Sequence, residues 1–311
     1  MSDPSRAPVP RDAPRAPVPG GAPRALSIWL QAARPRTLPA AIVPVLVGLA
    51  LAARRGHVDV PTAALTIGAA VLIQIGTNLA NDYYDFAAGA DTAERVGPRR
   101  ITQAGLAAPG AVRRAAFGVL GLAGLAGLYL VAVGGWPIAA IGVLSLLAAV
   151  GYTAGPWPIA YHGLGELFVF AFFGLAAVNG TLFLQTQALS RLSFLASLPV
   201  ACLATAILVV NNLRDIATDA RAGKRTVAVR LGERATRIEY LMLLALAFLA
   251  VPALGAEGGA PLLVCLAALP LALREARALW CRSGAALNAS LAGTARLHLV
   301  FGALLALGLV L

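Results

Sequence analysis

Nine stretches of this chain are apolar enough and long enough to cross a lipid bilayer, and that repetition limits the fold more than any other feature. A transmembrane helix takes roughly 20 mostly apolar residues. Candidates lie at 37–53, 61–81, 113–134, 136–152, 164–184, 194–213, 238–255, 260–280 and 291–311, with Pro270 interrupting the eighth. The composition agrees: of 311 residues, 59% are hydrophobic and 13% charged. A soluble domain carries about twice that charge, so a soluble globule, a disordered chain and a disulfide-stapled secreted domain are excluded. The expected fold is an all-α polytopic membrane protein of about nine transmembrane helices over residues 26–311. Residues 1–25 hold seven prolines and four arginines with no apolar core for a signal peptide, and are expected to be a disordered tail.

The net charge of +11 would suggest nucleic acid in a soluble protein. Here it follows from topology, because cytoplasmic loops of membrane proteins collect Lys and Arg. With the N-terminus inside and the C-terminus outside, all of the 25 basic residues fall on or beside the cytoplasmic segments except Arg54, Arg55 and Arg191. No aromatic-interleaved basic stretch forms a nucleic-acid platform. The three cysteines, Cys202, Cys265 and Cys281, have no metal or redox spacing. The long hydrophilic loops at about 82–112 and 214–237 therefore face the cytoplasm.

Acidic residues are costly at membrane depth and mark function there. Of the 14 in the chain, five aspartates fall in two short segments at the cytoplasmic ends of spans 2 and 6. The first contains Asn78, Asn81, Asp82, Asp85 and Asp91; the second contains Asn211, Asn212, Arg214, Asp215, Asp219, Lys224 and Arg225. Asn78, Asn81 and Asp85 share one helix face, as do Asn211, Asp215 and Asp219. Asp91 is turned away by about 240° if the helix continues, but Gly89 offers a break that folds it back. Each segment has Asn-x-x-x-Asp, a further Asp, a nearby Gly and a basic stretch. The two lie four spans apart and emerge on the same side, the pattern of a parallel repeat whose halves face each other.

Converging carboxylates repel one another and require a compensating cation. Carboxylate and amide oxygens without Cys or clustered His suit Mg²⁺, which takes one or two carboxylates and completes its shell with water and phosphate oxygens. Arg95, Arg99, Arg100, Arg214, Arg225 and Lys224, the one lysine in the chain, would hold the remaining phosphate oxygens. Acid, Mg²⁺ and base together suit a diphosphate. Asp82 and Asp219 individually also fit helix caps or solvated loop residues. Arg113, Arg114, Arg230, Arg234 and Arg237 read as topological anchors. An alternative of another class is a transporter, but the acids gather at one membrane face instead of lining a path through the midplane.

Both segments resemble the aspartate-rich motifs of the UbiA-type membrane prenyltransferase superfamily, and the similarity spans residues 28–310. The runs NDYYDFAAGAD with RVGPRRITQAGL, YTAGPWPIAYHGLGELFVFAFFG (152–174) and NNLRDIATDARAGKRTVAVRLG (211–232) are most similar to the group that prenylates 1,4-dihydroxy-2-naphthoate in menaquinone biosynthesis. The resemblance implies helices around a central cavity open to the membrane. It implies Mg²⁺ held by Asn81, Asp85, Asp91, Asn211, Asp215 and Asp219 against the diphosphate of an allylic polyprenyl donor. Asp85, Asp215, Arg214 and Lys224 would carry catalysis, with Asn78, Asn212 and the basic residues contacting substrate. An electron-rich ring carbon of the acceptor attacks the allylic centre, diphosphate leaves, and loss of CO₂ gives demethylmenaquinone in its reduced, quinol form. Tyr152 and Glu166 would contact the acceptor; Glu166 alternatively favours its helix N-terminus. A multi-pass protein of the cell membrane with its site facing the cytoplasm is expected, with 4-hydroxybenzoate or homogentisate as alternative acceptors.

Overall fold

The computed structural model describes residues 25–91 and 96–311, and every regular element among them is helical. The elements are α1 (Ala25–Ala33), α2 (Leu38–Arg54), α3 (Val60–Ala87), α4 (Pro109–Gly151), α5 (Gly165–Val169), α6 (Ala177–Thr186), α7 (Arg191–Arg221), α8 (Val227–Gly258), α9 (Leu269–Cys281) and α10 (Leu287–Val310). The expected tail, apart from Ala25, lies outside the described residues, as does Arg95. Among the described residues, seven helical stretches meet the length and apolarity of a bilayer span.

The difference from nine spans has local causes. Expected spans three and four are both present, as the two arms of α4, which are separate helices parted at Gly135, where φ is +66° and Pro137 follows, and which the count of seven takes as one. The arms fold back on each other, with Leu146 beside Gly124. Expected span eight begins as a 3₁₀ stretch, Ala260–Ala268, before α9, with prolines at 261 and 270 shaping both starts.

Helix starts follow from side-chain caps. Asp59 accepts from Thr62 N at 2.9 Å to open α3, and the reciprocal Ser190–Ser193 capping box opens α7. α7 is the central helix: 72% of its most apolar window is buried, against 22% for α4. α4 instead presents Phe117, Leu122, Leu125, Leu128 and Leu147 outward, an apolar surface of the kind that faces lipid. This is a multi-pass membrane protein. Between α5 and α6 the chain runs as a π-helix, Phe170–Ala176, and Gly174 there lies so close to Ala201 of α7 that a side chain would overlap it. α2 packs against both α3 and α7 and holds the two motif-bearing helices as opposite walls of one space.

Candidate active site

The first motif occupies the last turns of α3. Gly89, at φ +71°, reverses the chain, Ala90 N bonds Asp85 O at 2.9 Å, and Asp91 returns beside Asp85. Arg100, from the loop between α3 and α4, spans the two carboxylates: its Nη2 is 3.0 Å from Asp85 Oδ2 and its Nε 3.2 Å from Asp91 Oδ2. The second motif sits on α7. Asp215 receives Arg214 Nε at 2.8 Å and Nη2 at 2.5 Å, while Nη2 also reaches Asn211 Oδ1 at 2.8 Å.

Lys224 joins the two. It follows the turn at Gly223, and its ammonium lies 2.9 Å from Asp85 Oδ1, 139 residues away in the chain. Asn81, Asp85, Asn211, Asp215 and Asp219 all line one cleft of about 200 Å³, partly open to solvent. A second cavity of about 240 Å³ adjoins it, walled by Pro44, Ile73, Phe168, Phe172 and Ala177. Gln74, Asn81, Tyr152, Val169 and Phe173 line both, so a polar chamber opens directly onto an apolar one.

The connection before α5 closes the cleft. Tyr152 and Glu166 are on its wall, and Asn212 Nδ2 donates to Glu166 Oε1 at 2.8 Å, leaving Oε2 buried and without a hydrogen-bond partner among the described residues. The Lys224 ammonium stands 5.2 Å from the Tyr161 ring centroid. Burial pushes both phenols above their usual range, reinforced by Glu166, Asp85 and Asp219 at Tyr152 and by Asp85, Asp219 and Asp91 at Tyr161. Both hydroxyls therefore stay protonated at neutral pH and remain hydrogen-bond donors.

Several expected contacts lie elsewhere. Arg99 and Arg225 are exposed and do not line the cleft. Their backbone carbonyls are held by Gln31 and Arg230, which fixes the loops with these side chains outward. Asn78 turns to Ala33 O and Thr37 Oγ1 and ties α3 to the α1–α2 junction. Arg214, expected to hold phosphate, is turned onto Asp215, Asn211 and Asn288 and orients the second motif from behind. Arg237, read as a topological anchor, is buried, donating to Leu279 O and to Arg282 O at the end of α9. Arg230 likewise donates to His162 O at 2.9 Å and laces two loops together. Thr153, Asn288 and Arg34 escaped sequence reading. Thr153 donates to Asn81 Oδ1 at 2.9 Å, Asn288 bridges Arg214 to Val96 O, and Arg34 lines the cleft.

The donor set fits Mg²⁺. Among the described residues no three Asp, Glu, His or Cys side chains form a ready cage. Mg²⁺ does not need one: one or two carboxylates per ion, amide oxygens and substrate phosphates suffice, and oxygen donors from both motifs open on the cleft.

Comparison with known proteins settles the family. The sequence profile of the UbiA prenyltransferase family matches residues 41–307. The chain belongs to this family. It is 44% identical over 219 residues to the 1,4-dihydroxy-2-naphthoate octaprenyltransferase of Mycobacterium tuberculosis, covering 70% of this chain and 75% of that one. It is 35% identical over 298 residues to the protein of the same name from Haemophilus influenzae, covering 92% and 96%. A solved UbiA homologue from Archaeoglobus fulgidus, bound to GPP and Mg²⁺, shares the fold with a TM-score of 0.64 at 14% identity, over 89% of this chain and 99% of that one. As a UbiA family member the protein is a prenyltransferase, and its motif-lined cleft is the candidate site of transfer.

Proposed function

We propose that the protein transfers a polyprenyl group from an allylic diphosphate to 1,4-dihydroxy-2-naphthoate, with loss of CO₂, in menaquinone biosynthesis. The observation that carries this is the Lys224–Asp85 bridge across two oxygen-rich motifs at the edge of an apolar chamber. The acceptor is argued from relatives that bear that name at 35–44% identity. The site faces the cytoplasm of the cell membrane, in keeping with the clustering of basic residues on that side.

Asn81 and Asp85 on one wall and Asn211, Asp215 and Asp219 on the other, with Asp91 held beside Asp85 through Arg100, would hold Mg²⁺, which supplies Lewis-acid stabilisation of the leaving diphosphate. Lys224 and Arg100 add positive charge where the diphosphate gains negative charge as its carbon–oxygen bond breaks. Arg214 keeps Asp215 and Asn211 in register without touching substrate. The apolar chamber takes the prenyl chain: each CH₂ removed from water contributes about 0.8 kcal/mol. Its aromatic wall keeps water from the electron-poor allylic carbon. Tyr152 donates a hydrogen bond to the acceptor, and Glu166 Oε2 accepts one from an acceptor hydroxyl. The ring carbon bearing the carboxylate forms the new carbon–carbon bond, and the electron pair released with CO₂ restores the aromatic ring.

The test is turnover by purified protein in detergent or nanodiscs with Mg²⁺, an allylic diphosphate and a panel of aromatic acids, one carrying a labelled carboxyl. Prenylated naphthalene product with stoichiometric release of labelled CO₂ is expected. Preference for 4-hydroxybenzoate, with the carboxylate retained, would overturn the assignment of acceptor.

A further inference from the structure

Asp82 belongs to the first motif by sequence, yet it does not face the cleft. Its two oxygens accept from consecutive backbone N–H groups of the α3–α4 loop, Ile101 N to Oδ2 and Thr102 N to Oδ1, both at 3.0 Å. Asp82, Ile101 and Thr102 are all buried, at 2%, 0% and 3% exposure. A carboxylate gripping two amides in a low-dielectric interior makes strong, directional bonds. The residue before Ile101 is Arg100. Residues 96–108 form turns with no helix of their own, so the loop's backbone does not by itself fix where that guanidinium points.

The guanidinium has one function still open. Nε and Nη2 lie against Asp91 and Asp85. Nη1 is buried and has no hydrogen-bond partner among the described residues, and Arg100 lines the cleft. A buried donor left unmade is costly, and a phosphate oxygen is the acceptor that guanidinium geometry suits best.

We propose that Asp82 is a positioning residue: it clamps the Ile101–Thr102 backbone so that Arg100 presents Nη1 to the diphosphate of the prenyl donor. This rests on the proposed reading of the cleft as a diphosphate site. Asp82 touches neither substrate nor metal; it acts through the loop. Two further ties, Gln31 Nε2 to Arg99 O at 3.0 Å and Asn288 Nδ2 to Val96 O at 3.1 Å, hold the same loop, but neither grips the residues after Arg100.

The experiment compares wild type, Asp82→Asn, Arg100→Gln and the double variant in the purified full-length protein. Steady-state kinetics are read alongside calorimetric binding of inorganic pyrophosphate with Mg²⁺ and amide hydrogen exchange of residues 100–104. Asp82→Asn keeps the shape but turns an amide donor towards a backbone N–H. It is expected to raise KM for the prenyl diphosphate and Kd for pyrophosphate about tenfold, the scale of one lost charged hydrogen bond. Exchange at 100–104 should quicken and KM for the acceptor stay unchanged. In the Arg100→Gln background the same change should cost less than about twofold, because residues acting through one another are not additive. Unchanged pyrophosphate affinity in Asp82→Asn, or losses that multiply in the double variant, would overturn the clamp. Where Asp82→Asn does not fold, Asp82→Glu keeps the charge but displaces both oxygens, and the same readouts decide. Failure of wild type to bind pyrophosphate or use prenyl diphosphate would instead overturn the diphosphate reading, so the two failures are separable.

Discussion

The two aspartate motifs look alike in sequence but are balanced electrostatically in different ways. Asp215 is neutralised by its own neighbour, Arg214, on the same helix, and the pair is completed by Asn211 three residues earlier. Asp85 draws its cations from a distance: Arg100 through a turn-rich loop, and Lys224 from the other motif. The second motif is therefore a local unit assembled with α7. The first is assembled only when the α3–α4 loop and the turn after α7 close over it. A cation built into a helix supports the fold, whereas one delivered by a loop is in place to meet a ligand.

The largest effect tests what the motifs share. Asp85→Asn and Asp215→Asn should each lower turnover by about a thousandfold or more, since each removes charge from the group that stabilises the leaving diphosphate. Both variants should still elute as folded protein. Near-normal Mg²⁺-dependent turnover in either would remove that motif from the chemistry.

The next effect separates the motifs. Arg214→Gln leaves Asp215 buried without its ion partner, a change that costs about 3–5 kcal/mol and should appear as a lower thermal midpoint. Lys224→Gln should leave the midpoint nearly unchanged, because Asp85 keeps Arg100 as its ion partner. Its effect should instead be a rise of about tenfold in KM for the prenyl diphosphate, the scale of a lost charged hydrogen bond. If the stability loss fell on Lys224→Gln and the affinity loss on Arg214→Gln, the contrast between helix-borne and loop-borne cations would be reversed.

A smaller effect is expected on the acceptor side. Glu166→Gln should raise KM for the aromatic acceptor about fivefold, the scale of one neutral-for-charged hydrogen bond, and leave KM for the prenyl diphosphate unaltered. The smallest concerns the exposed arginines: Arg99→Gln and Arg225→Gln should change either KM by less than about twofold, as solvent-screened charges do.

Much of this was legible in the sequence because it is periodic. Apolar runs gave the spans, and the i, i+4, i+8 spacing of Asn211, Asp215 and Asp219 gave a face. Gly89 marked the turn that returns Asp91. What was hidden depends on partners far apart in the chain. Asn288 reaches Arg214 across 74 residues and Val96 across 192, and no local pattern marks it. Arg100 was read with Arg95, Arg99 and Arg225 as one basic group, since nothing local says which side chain a turn-rich loop sends inward. The burial of Arg237 was hidden for another reason: charge placement predicts the membrane side of a residue, not whether nearby carbonyls draw it into the bundle. The two arms of α4 correspond to the separately expected spans 113–134 and 136–152, which part at Gly135.

The central claim is that both motifs grip one metal–diphosphate ligand in a single cleft. It is tested most directly by calorimetric binding of a non-reactive thiolo analogue of an allylic diphosphate, with and without Mg²⁺. The proteins compared are wild type, Asp85→Asn, Asp215→Asn and the double variant. The account predicts Mg²⁺-dependent binding that each single change weakens about thirtyfold, with the double variant little worse than either, as expected for groups that share one ligand. Single losses that multiply in the double variant, or tight Mg²⁺-dependent binding that survives either change, would contradict it.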